Sequence, residues 1–207
     1  MFKLKAYCIS LKDSPENLIY IKNEWKDFLD IHHFVAIPAI HGCSKSHRDL
    51  LLQIWKNKET EPFPIVIMED DVYKMKDFTN YWNVLLEINN KNLDYIAFDA
   101  FLLKFKDSQK NVHPKFVELL KHNQTGFNVY FKNFFDRFNS EKELLKPLKL
   151  APIDLHFTHN STFTKWTPKR QVLRQISNKK VRGKRKPTRD YKGYYDMAQE
   201  ILTKKIK

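Results

Sequence analysis

Glycine and cysteine are scarce in this 207-residue sequence, at four and two residues. No GxGxxG or GxxxxGK pattern occurs, which excludes the glycine-rich loops that cradle phosphates in dinucleotide-binding and P-loop proteins. Two thiols, Cys8 and Cys43, cannot make a disulfide framework, and a reducing, cytoplasmic compartment is expected. No second Cys/His pair at structural-site spacing accompanies His41, Cys43 and His47, so zinc is not expected there. No apolar run approaches the ~18 residues of a membrane span. The opening Met1–Tyr7 is charged and turns polar by Lys12-Asp13, unlike a signal peptide. There is no internal repeat and no Pro- or Ser-rich linker, so one domain is expected.

What the chain does have is apolar mass and positive charge. Hydrophobic residues make up 42% and aromatics 14%, with 16 Phe and 9 Tyr, enough for a sizeable core. The net charge of +13 is uneven: Lys165 to Lys207 is dense in Lys and Arg, including Lys179 to Lys186. Such a run suits a polyanion (nucleic acid, a membrane surface or a polyphosphate) or a solvated loop.

The first hundred residues alternate strand and helix. Lys3–Leu11 reads as a strand. Asp13-Ser14-Pro15-Glu16 starts a helix carrying Leu18, Ile21, Trp25, Phe28 and Leu29 at helical spacing. Phe34–Ile37 is a short strand stopped by Pro38, and Ser44 or Ser46 caps a helix with Leu50, Leu51, Ile54 and Trp55. Ile65–Met68 is the next strand. Asp77 opens a helix with Phe78, Trp82, Leu85, Leu86 and Ile88, and Asp94–Asp99 is a fourth strand. This order predicts an α/β fold with a mostly parallel central sheet flanked by helices. Ligands of such sheets sit outside the carboxyl ends of the strands, where Leu11-Lys12, Pro38–Gly42 and the acids after Met68 converge. Farther on, the patterning predicts a short helix at Lys115–Lys121, a strand at Gly126–Phe131, a helix at Asn133–Leu145, a turn or short strand at Leu150–Leu155 and a helix at Gly193–Ile206.

Pro64-Ile65-Val66-Ile67-Met68-Glu69-Asp70-Asp71-Val72 is the most informative string. An apolar strand runs straight into three acids. Adjacent carboxylates repel one another, and a divalent metal with a phosphate ligand relieves that repulsion. In extended backbone alternate side chains share a face, so Glu69 and Asp71 point together and Asp70 points away. The alternative is a solvated strand end. Two further groupings matter. His41–His47 offers a glycine for close approach and a Ser-rich helix start with free N–H groups, or ordinary capping. Pro152–His159 holds Asp154, His156 and His159, enough for a general base and a metal ligand, or surface polar residues.

Taken together, His41-Gly42-Cys43-Ser44-Lys45-Ser46-His47 followed by Ile67-Met68-Glu69-Asp70-Asp71-Val72 resembles glycosyltransferase family 25, which includes lipooligosaccharide and collagen galactosyltransferases. That family carries a Gly-Cys-x-x-Ser-His segment, a helix, and an apolar strand ending Glu-Asp-Asp. Ala6–Leu11 resembles its first strand, Pro38–Gly42 its "pAxdG" stretch, Thr125–Tyr130 its Gly-Thr-x-x-Tyr segment and Ala151–Asp154 its Pro-x-Asp. The likeness spans residues 5 to 157 and is closer in the first half. The small size and Lys/Asn/Phe-rich composition also resemble glycosyltransferases of large algal viruses, which glycosylate capsid protein. Two departures touch the nucleotide contacts: Lys12–Asn17 replaces the usual Arg-rich stretch, and His41 replaces the usual Asp before Gly42.

The resemblance implies a GT-A-like single domain: residues 1–100 a nucleotide-binding half, 101–165 an acceptor-side half, and 166–207 a basic segment with a C-terminal helix. It implies a metal-dependent, inverting transfer from a nucleoside diphosphate-sugar, UDP-sugar first, to a glycan or glycoprotein hydroxyl. Asp71 would be the main Mn²⁺ (or Mg²⁺) ligand, and Glu69 would reach the metal through water or hold the ribose. His156 or His159 would complete the shell. Asp70 would face the sugar or hold the loop, and Asp154 would be the acceptor-side base. The donor is expected against Ser10, Leu11, Ala39, His41, Gly42, Ser46 and Glu69. Lys165, Arg170 or Lys179 would help neutralise the diphosphate. The location implied is cytoplasmic (host cytoplasm for a viral chain), with no transmembrane segment and no nucleic-acid partner. The rival reading is a non-catalytic basic nucleic-acid-binding protein. A two-metal nuclease is disfavoured because the acids are contiguous rather than spread over several strands.

Overall fold

The structure, a computed structural model, describes residues 2–38, 42–88, 92–105, 113–123, 126–145, 162–175 and 200. In chain order the elements are β1 (Leu4–Ser10), α1 (Pro15–Trp25), β2 (Leu29–Val35), α2 (Gly42–Lys56), β3 (Ile65–Glu69), β4 (Val72–Lys74), α3 (Phe78–Glu87), β5 (Tyr95–Ala97), β6 (Phe101–Phe105), β7 (Phe116–Asn123), β8 (Phe127–Tyr130), α4 (Lys132–Asp136), α5 (Glu141–Leu145), β9 (Lys165–Pro168) and β10 (Leu173–Gln175). None of the described helices is long and apolar enough to cross a membrane.

Eight strands form one sheet in the order β2-β1-β3-β8-β5-β9-β7-β6, and β4 pairs with β10 in a separate ribbon. β1 lies parallel between β2 and β3, the product of two strand–helix–strand crossovers. β8 inserts antiparallel between β3 and β5, β9 is parallel to β5, and β7 is antiparallel to both β9 and β6. Five strands (β2, β3, β5, β6 and β9) therefore run with β1, while β7 and β8 run against it. This is the α/β layout expected from the sequence, a central sheet flanked by helices, parallel in its first three strands and mixed beyond them.

Strand alternation separates two cores. Tyr7, Ile9, Ile65 and Ile67 pack with Leu50, Leu51 and Ile54 of α2 on one face. Leu4, Ala6, Cys8, Val66 and Met68 pack with Ile21 and Trp25 of α1 and Phe78, Trp82 and Leu85 of α3 on the other. The second core is built on aromatic contacts: Trp25 stacks on Phe127 at 4.8 Å and meets Phe78 edge-on at 4.9 Å.

Four elements differ from the sequence reading, the first being the strand expected at Phe34–Ile37, which begins five residues earlier as β2 and ends at Val35. The helical spacing runs on through Phe28 and Leu29, but α1 ends at Trp25. A turn closed by Phe28 N–H to the Trp25 carbonyl (3.0 Å) tucks Phe28 into the same core, and Leu29 begins β2 opposite Leu4. The expected helix at Lys115–Lys121 is strand β7. It lies between β9 and β6 and is buried on both faces, Phe116 on one and Val117 and Leu119 on the other, so its apolar residues do not alternate. The expected helix at Asn133–Leu145 is split into α4 and α5. Ser140 Oγ accepts from Glu143 N–H (3.3 Å), and Glu143 Oε2 accepts from Asn139 N–H (2.8 Å), a reciprocal cap that starts a new helix. The expectations at Leu150–Leu155 and Gly193–Ile206 lie outside the described residues, apart from Glu200, which is helical.

Candidate functional site

The carboxyl ends of β1 and β3 and the first turn of α2 meet at one rim of the sheet. The alternation that sends Ile65 and Ile67 toward α2 continues to Glu69. Its Oε1 accepts from the Cys43 thiol (3.4 Å) and lies 3.3 Å from His47 Nε2. Asp70 turns to the opposite face. Its Oδ2 accepts from Ser10 Oγ (2.7 Å) at the end of β1 and from Asn17 Nδ2 (3.1 Å) on α1. The Glu69 N–H donates to the Gly126 carbonyl (2.8 Å), fixing the turn against the approach to β8.

Asp71 is buried, 2% exposed. Leu11 is exposed at the rim. Gly42 opens α2 and is buried. Ser46 pins the loop before α2: its Oγ accepts from Ile37 N–H (2.9 Å) and donates to the Gly42 carbonyl (2.7 Å). The Ser10 carbonyl accepts from Ala36 N–H (2.8 Å), which ties the end of β2 to the same corner. Thus Ser10, Gly42, Ser46, Glu69 and Asp70 belong to one hydrogen-bonded neighbourhood. Ala39, His41, Asp154, His156 and His159 lie outside the described residues.

The rim is electrically negative. Burial raises the Cys8 thiol well above its usual range, helped by the charges of Asp70, Asp71 and Glu69. Asp99, two residues beyond β5, is 1% exposed. Burial above all, then the charges of Glu69 and Asp71, hold its carboxyl well above the ordinary value, and the nearby Phe127 N–H offsets only part of this. Neither Asp99 oxygen makes a hydrogen bond of normal geometry among the described residues. The glycine at 126 is what leaves space for that carboxylate. A Cβ there would lie 2.5 Å from Asp99 Oδ2 and 2.7 Å from Gln175 Nε2.

No protein-family model matches the chain, and no curated protein matches it. Among solved structures it is similar to A197 from STIV, with TM-score 0.49 and 14% identity over 80% of this chain and 81% of that one. It is also similar to a glycosyltransferase involved in the glycosylation of the major capsid of PBCV-1, with TM-score 0.41 and 12% identity over 73% of this chain and 69% of that one. Neither likeness carries an activity over to this chain.

The donors at the rim are chemically suited to a divalent cation. Carboxylates are hard oxygen ligands, and the Asp99 carboxyl, buried beside Glu69 and Asp71 and held well above its ordinary value, marks a corner where a bound cation would favour the ionised acids. Mn²⁺ or Mg²⁺ fits these residues.

One expected cation is misplaced. Lys165 was a candidate for the diphosphate. It begins β9 opposite Tyr95, the first residue of β5, and so sits at the amino-terminal rim of the sheet, away from Glu69. It is fully buried and donates to the Leu120 carbonyl at 2.6 Å. Arg170 is largely exposed and lies 3.9 Å from Asp77 Oδ2. Lys179 lies outside the described residues. Asp99 carries a sequence signal of its own: Tyr95-Ile96-Ala97-Phe98-Asp99 is an apolar strand ending in an acid, the same pattern as Ile65–Asp71.

Proposed function

We propose that this chain is a glycosyltransferase that moves a sugar from a nucleoside diphosphate-sugar, with UDP-sugars first, to a hydroxyl of a glycan or glycoprotein. The observation that carries the reading is the Glu69–Asp71 triplet at the carboxyl end of β3, framed by the end of β1 and the start of α2. That is where an α/β sheet receives a nucleotide. It is joined by the family-25-like residues from His41 to His47 and from Ile67 to Val72.

In this reading Asp71 and Glu69 hold Mn²⁺ or Mg²⁺. When bound, that cation would neutralise charge developing on a diphosphate leaving group. Asp70 keeps Ser10 and Asn17 in place and so fixes the rim against which the donor lies. Leu11, Ala39, His41, Gly42 and Ser46 line or brace the nucleotide side. Asp154 would take the acceptor proton as the acceptor oxygen bonds to the sugar and the bond to the diphosphate breaks, and His156 would be a further ligand of the cation. An inverting single displacement follows from the resemblance.

The test is a thermal-shift screen of nucleotides and nucleotide-sugars with and without Mn²⁺. A donor at ~100 times its Kd stabilises the fold by ~2.7 kcal/mol. For a chain of this size that is a rise of about 5–11 °C. The expected result is a rise only when metal and donor are both present, and its loss in Asp71→Ala with the fold retained. Full Mn²⁺-dependent binding by Asp71→Ala would refute the metal assignment. Nucleic-acid binding with a steep salt slope and no metal dependence would replace the whole reading with that of a charge-driven binder.

A further inference from the structure

We propose that Cys43, His47 and Glu69 form a binding site for a thiophilic divalent cation of the Zn²⁺ class. Cys43 and His47 are four residues apart on the first turns of α2 and so share one face of the helix. Glu69 arrives from the end of β3. One thiol, one imidazole and one carboxylate thus meet, with all three ligand atoms within 4.8 Å of one another. They are the sole such trio of His, Cys, Asp and Glu ligands among the described residues.

Two of the three spacings are those of a metal polyhedron, and the third, Cys43 to His47, lies within 4.8 Å. Zinc bonds of about 2.0–2.3 Å at tetrahedral angles require ligand–ligand edges of about 3.3–3.6 Å. The Cys43–Glu69 and His47–Glu69 edges are 3.4 and 3.3 Å. His47 is wholly buried, so packing fixes its ring, whereas Cys43 is exposed and leaves a path for an ion. Three protein ligands leave a fourth position open for water or an anion. The thiolate also selects the metal: sulfur and imidazole suit Zn²⁺, while Mg²⁺ and Mn²⁺ prefer oxygen. A thiolate, a carboxylate and a neutral imidazole around a dication sum to zero charge, at a rim already crowded with acids.

One consequence rests on the function proposed above. Glu69 cannot serve both cations fully, so Zn²⁺ bound by Cys43 and His47 withdraws it from the oxygen-donor set with Asp71. Zn²⁺ then antagonises Mn²⁺-dependent donor binding.

The site is tested without any donor, so its failure is separate from failure of the transferase reading. Co²⁺, a spectroscopic substitute for Zn²⁺, is titrated into the metal-free full chain. The expected result is one ion bound per chain, with thiolate-to-cobalt charge-transfer absorption that Zn²⁺ abolishes by displacement. That absorption disappears in Cys43→Ser and persists in Cys8→Ala, whose thiol is buried in the core. The affinity for Zn²⁺ falls by about tenfold or more in Cys43→Ser and in His47→Gln. Cys43 is exposed, so Cys43→Ser keeps the test valid even if the buried His47 variant fails to fold. Absence of the charge-transfer band, or its survival in Cys43→Ser, would overturn the proposal.

Discussion

Replacing Asp99 with asparagine should stabilise the protein at neutral pH, and the gain should vanish in acid. Burial, reinforced by Glu69 and Asp71, lifts the Asp99 carboxyl well above its ordinary value of 3.8. Between 3.8 and the raised folded value, the folded chain binds a proton that the unfolded chain has released. Stability is therefore intact below 3.8, falls as pH climbs through that window, and levels off above the folded value. The slope of a single group is about 1.4 kcal/mol per pH unit. At ~2–4 °C per kcal/mol for a chain of this length, the melting temperature drops by about 3–5 °C per unit. Asparagine cannot ionise and escapes the drop. The assay is thermal unfolding by circular dichroism from pH 4 to 8 at fixed ionic strength, with chelator to keep the rim metal-free. The difference between variant and wild type should start near zero and widen by about 3–5 °C per pH unit until Asp99 ionises. A difference flat from pH 4 to 8 would show that Asp99 titrates normally and that the corner is wetter than the structure indicates.

Two further predictions use other parts of the fold. Burial pushes Lys165 down to about 8 from 10.5. Between those values the unfolded chain holds a proton that the folded chain has lost, so Lys165 makes stability rise with pH, by about 1.4 kcal/mol per unit. Urea unfolding from pH 7 to 10.5 should show that increment in the wild type and not in Lys165→Met; equal pH profiles would count against the burial argument. At the rim, a double-mutant cycle between Ser10→Ala and Asp70→Asn should give a coupling of about 1–2 kcal/mol, because the 2.7 Å bond is made to a charged acceptor. A coupling below ~0.5 kcal/mol would mean that Asp70 is not held by β1.

The layered α/β arrangement was legible because periodicity reports burial. α1, α2 and α3 each carry an apolar stripe at helical period, β1 and β3 carry near-continuous apolar runs, and each formed where that stripe or run lies. The pattern misled where the apolar residues of a strand buried on both faces are interrupted at helix-like spacing, as in β7 (Phe116, Val117, Leu119, Leu120), or where a turn carried the apolar spacing past a helix end, as at Phe28. Strand alternation placed Glu69 on the α2 face beside His47. Asp70 and Asp71, however, form the turn between β3 and β4, where the alternation of an extended segment no longer applies, and Asp70 meets Ser10 on the other side. The partners themselves were not readable. Glu69 meets Cys43 and His47 across 26 and 22 residues of chain, and only the packing of α2 on β3 decides that approach. Lys165 failed for a related reason. Composition counts a charge but does not say at which end of a strand it falls.

The two acids flanking β5 differ in how far the fold satisfies them. Asp94 precedes the strand and is fully buried. It accepts from Arg137 Nε (2.6 Å), Asn133 Nδ2 (2.7 Å) and Thr164 N–H (2.7 Å). A buried carboxylate equipped with a guanidinium and two further donors is satisfied within the fold, and the region has no need of an outside cation. Asp99 follows the same strand and is as deeply buried, yet it faces further carboxylates and makes no hydrogen bond of normal geometry among the described residues. Leaving such a group uncompensated destabilises the folded chain at neutral pH, and the penalty falls at the carboxyl-end rim where a ligand of this sheet would sit. A cation bound at that rim would reverse its sign. Adding Mn²⁺ should therefore stabilise the wild type more at pH 8 than at pH 5, and the same addition should leave the Asp94 end of the strand unaffected.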